Sequence, residues 1–346
     1  MTEGHTFVDC HNDFLLLFAR ERALGHSDSL RRRFVPQFRE AGIDVQVAPI
    51  YIEAELLPEG ALRHTLRVIE QLTEEVEATS DVVALCLSGE EIERAVALNK
   101  LALVLALEGS HAIGSDVELF STVYRLGVRM ASFTWMGNTP LAGGSADGDP
   151  GAGLSRKGVE ALGVLESLGI VMDVSHLSLR STADVLERAT RPVVASHSSA
   201  RALKDHHRNL LDEHMKGIAA SGGVIGITAI PSFTDLDKPI LDRVIDHIVH
   251  VAETVRIDHV GIGADFIREY VDEVYATYPD VTMEGVDLRD TIEGLASPAD
   301  IRNLAPALER RSFSATEVAK VLGGNFLRVF GEVMGKPQPS QERQAS

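Results

Sequence analysis

An imidazole and a carboxylate two residues apart, His11 and Asp13 of the stretch TFVDCHND, form the most chemically loaded pattern in this 346-residue chain. The run before them, residues 6–10, reads as a short strand, and residues two apart on a strand project to the same side. A His-x-Asp at a strand end therefore aims one nitrogen and one oxygen at a common point, as a divalent metal requires. The arrangement recurs: LALVLAL runs into Glu108, IVMDVS into His176, PVVAS into His197 and VGIGA into Asp265. Singly, each is weak, since strand-end histidines more often make structural hydrogen bonds and Asp or Glu at such junctions often caps the next helix. Jointly, these ligand types suffice for two divalent ions, with Glu108 lying between the two groups in strand order and so placed to bridge. Mixed nitrogen and oxygen ligands suit zinc best, with manganese or cobalt as alternatives. Two ions ~3.5–4 Å apart can share a hydroxide, polarise a carbonyl and template an attack.

The elements that must position these residues are eight continuous apolar runs without polar alternation, as strands buried on both faces read. They cover residues 6–10, 43–52, 101–107, 128–134, 170–175, 192–196, 224–230 and 259–264. Between them lie helical patterns. One is ALRHTLRVIEQLTEEVEAT, with Leu62, Leu66, Ile69, Leu72 and Val76 as its apolar stripe; another is DRVIDHIVHVAETV. Eight strands with helical crossovers predict a (β/α)8 barrel of the metal-dependent hydrolase type, whose catalytic groups sit at the C-terminal strand ends. Residues 1–340 are expected to form one barrel domain and 341–346 a disordered tail. Residues 137–153, rich in Gly, Pro, Asn and Asp, read as a loop on the catalytic face. The acidic, tyrosine-containing segment 268–295 reads as either a lid or a surface excursion.

Net charge is −18, from 33 basic and 51 acidic residues. That argues against nucleic acid or an anionic membrane as partner. The N-terminus has no basic n-region, and no apolar run approaches the ~20 residues of a membrane span, so a cytoplasmic protein is expected. Cys10 and Cys86 lie in apolar stretches and read as buried free thiols.

The motifs also carry a resemblance. His11-Asn12-Asp13, Glu108-Gly109, MDVSH ending in His176, ASHSSARAL containing His197, HHRNL containing Arg208 and GIGADF containing Asp265 resemble the renal (membrane) dipeptidase family of metallopeptidases. The closing stretch SPADIRNLAPALERRSFSATEVAKVLGGNFLRVF is similar too, so the likeness runs from Val8 to about Phe330. It implies a (β/α)8 barrel, two zinc ions, a small dipeptide as substrate and a homodimer. Carried over, His11 and Asp13 bind the first ion, Glu108 bridges, and His176 and His197 bind the second. Arg208 holds the substrate's free α-carboxylate, which its planar fork matches. Asp265 moves the proton from the attacking water to the leaving amine. Asn138 joins the substrate-binding set, and L,D-dipeptides become candidate substrates.

Two departures stand out. Renal-type members carry a histidine before Asn-Thr-Pro; here FTWMGNTP puts Trp135 there, as a pocket wall that can offer one indole N–H and no cationic electrophile. After Asp265 the chain continues Phe266-Ile267-Arg268 instead of Phe-Asp-Gly, which adds a cation beside the substrate. The remaining histidines read blandly: His111 near the rim, His206 and His207 exposed in a loop, His247 and His250 on a helix surface, and His259 structural at the start of the last strand. Two other functions stay open. One is a binuclear barrel hydrolase acting on another amide, a lactone or an ester, against which Arg208 speaks. The other is a catalytically silent binding barrel, against which the complete ligand set speaks.

Overall fold

Among the described residues nine parallel strands make one sheet, eight of them in the order β1 (Val8–Asp9), β2 (Val45–Ile50), β4 (Leu101–Leu107), β5 (Val128–Ser132), β6 (Val171–Asp173), β7 (Val193–Ser198), β8 (Val224–Ile227) and β9 (Val260–Ile262), and β3 (Val83–Leu85) beside β4. Every crossover carries a helix, from Phe14–Ala23 after β1 to Leu241–Val255 before β9. The sheet closes on itself where the Cys10 N–H donates to the Ile262 carbonyl and the Asp265 N–H to the His11 carbonyl, both at 3.0 Å. The expected (β/α)8 barrel is therefore present. The structure, a computed structural model, describes residues 5–276, 282–283 and 286–336. The expected tail and part of the segment after β9 lie outside the described residues.

One strand escaped the sequence count. β3 (Val83–Leu85) pairs with Leu101–Leu103 at the foot of β4, while β5 takes up the same strand at Leu105–Leu107. Its three residues are too few to show a period. Most other strands are shorter than their apolar runs at the C-terminal end; the run 170–175, for example, leaves the ladder at Asp173. The apolar residues continue, but the backbone turns there to present side chains at the rim.

Two apolar clusters hold the barrel. The larger lies between strands and helices. The smaller follows alternate strand residues, such as Val45 and Val47 or Ala102, Val104 and Ala106, and is completed by Phe326, Val329, Phe330 and Val333 of helix Asn325–Val333. That helix closes the N-terminal mouth. Asn325 Nδ2 donates to the Ile257 and Val260 carbonyls at 2.7 and 2.8 Å, and Arg328 reaches the Gly222 and Asp258 carbonyls. Gly261 makes this seat possible, because a β-carbon there would lie 2.4 Å from the Phe326 ring. The C-terminal end of the barrel is left for the rim residues.

Three surface readings are corrected. In helix Ala61–Ala78, Leu66 is 39% exposed, and the buried stripe runs instead through Thr65, Val68, Ile69, Leu72 and Glu75. Glu75 is inside because its carboxylate accepts the Leu30 N–H at 2.8 Å. His247 is not a surface residue: it is buried, its Nδ1 accepting the Ala200 N–H at 3.0 Å and its Nε2 facing the Thr234 carbonyl at 3.3 Å. His250 is half-buried, with Nε2 2.8 Å from Asp212 Oδ1. His259 bonds the Gly223 carbonyl at 2.8 Å just before β9, a structural role. Cys10 and Cys86 are buried free thiols. Among the described residues no helix is long and apolar enough to cross a membrane.

Candidate metal centre

Each ligand-type side chain is presented by a local departure from regular structure. Asp13 occupies the capping position of helix Phe14–Ala23 yet makes no capping bond; Asn12 Oδ1 accepts the Phe14 N–H instead, at 3.0 Å. The Asp13 carboxylate is thereby left for another partner, and the capping alternative for it falls away. Glu108 follows β4 directly, and Gly109, at φ 78°, turns the chain behind it. His176 and Asp265 themselves sit in the left-handed region, at φ 67° and 63°. That conformation costs a residue with a β-carbon about 1–3 kcal/mol and concentrates at functional sites. It is held by bonds to the His176 carbonyl from the Ser145 N–H at 2.8 Å and Thr134 Oγ1 at 2.9 Å, and by the Asp265–His11 bond that closes the barrel.

The six side chains converge. Glu108 divides its carboxylate: Oε1 lies 3.0 Å from His176 Nε2 and 3.8 Å from His197 Nε2, while Oε2 lies 3.6 Å from His11 Nε2. His11 Nε2 also faces Asp13 Oδ1 and Asp265 Oδ1, each at 3.8 Å. The Nε2 atoms of His176 and His197 are 2.8 Å apart. Two triads have ligand atoms within 4.8 Å of one another, His11–Glu108–His197 and His11–Asp13–Asp265. His11 Nε2, Asp13 Oδ1 and Glu108 Oε2 are buried without a hydrogen-bond partner among the described residues. An unsatisfied buried polar group costs about 1–3 kcal/mol. Three that face one another fit cations far better than they fit a protein interior, and the donor set is the nitrogen–oxygen mixture that zinc, manganese or cobalt takes.

The electrostatics agree with that fit. Burial opposes ionisation of Glu108, but His11 and His176 hold it well below the usual carboxylate range. Burial, then the Arg208 charge, pushes His176 down to about 3. Burial, then His11 and Arg208, keeps His197 well below the imidazole range. An ionised carboxylate and two neutral imidazoles are the states that ligation demands. On the other side, burial disfavours a charged His11, yet Glu108, Asp265 and Asp13 outweigh it and raise the imidazole to about 10. Burial and the Glu108 charge likewise push the Asp13 and Asp265 carboxyls up. Cation binding there must displace protons.

Around the centre, Arg208 is buried. Its Nη2 donates to the His197 carbonyl at 3.0 Å and lies 3.4 Å from His176 Nε2, with the guanidinium 5.3 Å from the Phe233 ring centre. His206 is half-buried, and its Nδ1 accepts the backbone N–H of Arg208 at 3.1 Å, so it holds the loop at Arg208, the alternative to exposure that its place two residues before Arg208 had offered. Trp135 stands 5.9 Å from the His176 ring, where it can wall a pocket. Asn138 is exposed, and its Oδ1 accepts the Gly144 N–H at 2.9 Å, closing the 137–153 loop on itself. His111 rests against Gly109 with its Nδ1 buried and unpartnered among the described residues. Sequence reasoning missed Tyr51. It follows β2 as Glu108 follows β4, packs edge-on to Trp135 at 4.8 Å, and has its hydroxyl pushed up by burial and by the Glu108 and Asp13 charges. It lies inside the 43–52 run, so no polar break marked it in the sequence.

A profile of the membrane dipeptidase family matches residues 1–344. Dipeptidase verJ of Clonostachys rogersoniana is 31% identical over 274 residues, which make up 79% of this chain and 66% of verJ. Dipeptidase tcpJ of Claviceps purpurea is 28% identical over 277 residues, 79% of this chain and 61% of its own length. The chain thus spans less than two thirds of either relative. A metallopeptidase structure from Rhodobacter sphaeroides, liganded with a phosphinate mimic of the dipeptide L-Ala-D-Ala, superposes with a TM-score of 0.83 at 22% identity, covering 95% of this chain and 99% of that one. At that identity the likeness speaks for the fold alone. Because the profile takes in nearly every residue, rim cluster and closing helix together, the chain belongs to the membrane dipeptidase family, Peptidase family M19.

Proposed function

We propose that this protein is a metal-dependent dipeptidase that cleaves dipeptides bearing a free C-terminal carboxylate, L,D-dipeptides among them. The observation that carries the reading is the division of one buried carboxylate, Glu108, between His11 on one side and His176 with His197 on the other, with Arg208 alongside. His11 and Asp13 would hold one divalent ion and His176 and His197 a second, zinc being the best match to the donors, with Glu108 shared. When bound, such ions activate water and polarise a carbonyl.

The rest of the chemistry falls to the chain. Arg208 offers its fork to the substrate's carboxylate, which fixes the scissile bond beside the His176 and His197 end of the centre. Asp265, whose Oδ1 lies 3.8 Å from His11 Nε2, would accept the proton of the attacking water and return it to the departing amine. Trp135 and Tyr51 form an aromatic wall that limits the side chains admitted. The test is a screen of L,L- and L,D-dipeptides with zinc-loaded protein, alongside metal analysis. Hydrolysis of free dipeptides with two equivalents of metal is expected. A protein that takes up metal yet prefers C-terminally blocked amides, lactones or phosphoesters overturns the dipeptidase reading.

A further inference from the structure

Beneath His197 lies a buried polar chain inside the barrel. Asp173, the last residue of β6, accepts the backbone N–H groups of Ser175 and Ser196 on Oδ1, both at 2.9 Å. Its Oδ2 is 2.5 Å from Ser196 Oγ, which in turn is 2.7 Å from His197 Nδ1. Ser175 Oγ stands 3.2 Å from Ser196 Oγ and accepts the His197 N–H at 3.2 Å. All four side chains are buried.

Hydrogen counting settles the direction. Ser196 Oγ has one hydrogen and two lone pairs. The shortest contact is to a carboxylate oxygen, and charge-assisted bonds are the stronger ones, so the hydrogen goes to Asp173. Toward His197, Ser196 can then only accept. His197 must carry its proton on Nδ1, and its Nε2 presents a lone pair to the space beside Glu108. His176 has no such support: its Nδ1 is buried without a hydrogen-bond partner among the described residues.

We propose that Asp173, acting through Ser196, is a positioning residue that sets the His197 tautomer for metal binding, so that His197 is the preorganised ligand of the second ion and His176 the one that adapts. The same residue also aims Arg208, whose Nη2 bonds the His197 carbonyl. The inference rests on the proposed metal centre and deepens it.

The substitution Asp173→Asn makes the relay testable by reversing it. The amide oxygen must stay with the two backbone N–H groups, so the amide nitrogen faces Ser196 and donates to it. The Ser196 hydrogen then turns to His197 Nδ1 and forces the proton onto Nε2, the wrong tautomer for a ligand. Removing the serine hydroxyl should undo that inversion. The experiment measures zinc affinity of demetallated wild type, Asp173→Asn, Ser196→Ala and the double variant by competition with a chromophoric chelator. The expected result is a roughly 10–100-fold weaker second zinc in Asp173→Asn, the usual effect of losing such support, and a partial recovery in the double variant. Wild-type affinity in Asp173→Asn, or a double variant weaker than Asp173→Asn, overturns the relay, since a merely structural role predicts accumulating damage. If Asp173→Asn does not fold, Ser196→Ala decides alone: a loss of about tenfold supports the relay and unchanged affinity overturns it. Wild type that binds no zinc at all overturns the metal centre itself, and is told apart from failure of the relay by that first titration.

Discussion

At Glu108 one carboxylate faces nitrogen ligands on both sides, so its loss cannot be local. Glu108→Ala is expected to leave the protein with at most one weakly held ion, and elemental analysis showing two full equivalents would rule out the bridge. Asp265 has two candidate roles, because its Oδ1 joins His11 and Asp13 in one of the two triads while the proposed reaction needs a proton carrier. Asp265→Asn separates the roles: as a proton carrier its loss lowers kcat by roughly 10²–10⁴-fold with both metals retained, whereas loss of metal in step with activity makes it a ligand. For Arg208→Met the expectation is a fall in kcat/KM of at least about tenfold on free dipeptides, since a charged hydrogen bond is worth about 1.5–3 kcal/mol. C-terminal amides should be nearly unaffected; equal losses on both substrates would return Arg208 to a structural role.

At the scale of elements, the loop that carries Arg208 depends on a helix. His247 of helix Leu241–Val255 accepts the Ala200 N–H just after β7, and burial holds its ring below the usual imidazole range. The folded state therefore favours the neutral ring. This contribution is complete above the ordinary value of about 6.5 and is lost as pH falls through the lowered one. His247→Gln should accordingly lose less stability than wild type when denaturation is followed from neutral to acid pH; parallel curves would refute that assignment. The same residue shows where sequence reading stops. Its spacing from Val244 and Val251 puts it on the buried stripe of the helix, but its partners, Ala200 and Thr234, lie on other segments and leave no mark in the local sequence. Strand ends were legible because parallel buried strands leave unbroken apolar runs, and a polar residue closing such a run is conspicuous. The Asp173 relay and the Arg208–His206 bond were not, because they depend on which side chains the barrel brings face to face. Tyr51 was overlooked for a simpler reason: an aromatic residue inside an apolar run does not break it.

At the scale of the whole molecule, the centre packs three carboxyls and three imidazoles against one another, so ions that bind the folded state should stabilise it by mass action. At a free zinc concentration near 100 times Kd the gain is about 2.7 kcal/mol. Dialysis against a chelator should lower Tm and zinc should restore it; a Tm indifferent to both would separate the cluster from the stability of the fold. The opposite end of the barrel has its own test. Gly261→Val drives a side chain into the Phe326 ring, an overpacking worth about 1–3 kcal/mol, and should cost stability while the metal equivalents stay at two.

The seam that closes the barrel joins residues more than 250 positions apart: Cys10 bonds Ile262, His11 bonds Asp265, and Asp9 Oδ1 accepts the Ala264 N–H at 2.9 Å. A ribosome making this chain releases His11 and Asp13 first and Asp265 last of the six rim residues, and the helix that seats on Gly261 later still. Until then β1 has β2 along one edge and nothing along the other. The rim can therefore take its closed form only once the chain through Ile262–Asp265 has been made, and any ion binding that depends on that form would follow synthesis of the whole barrel.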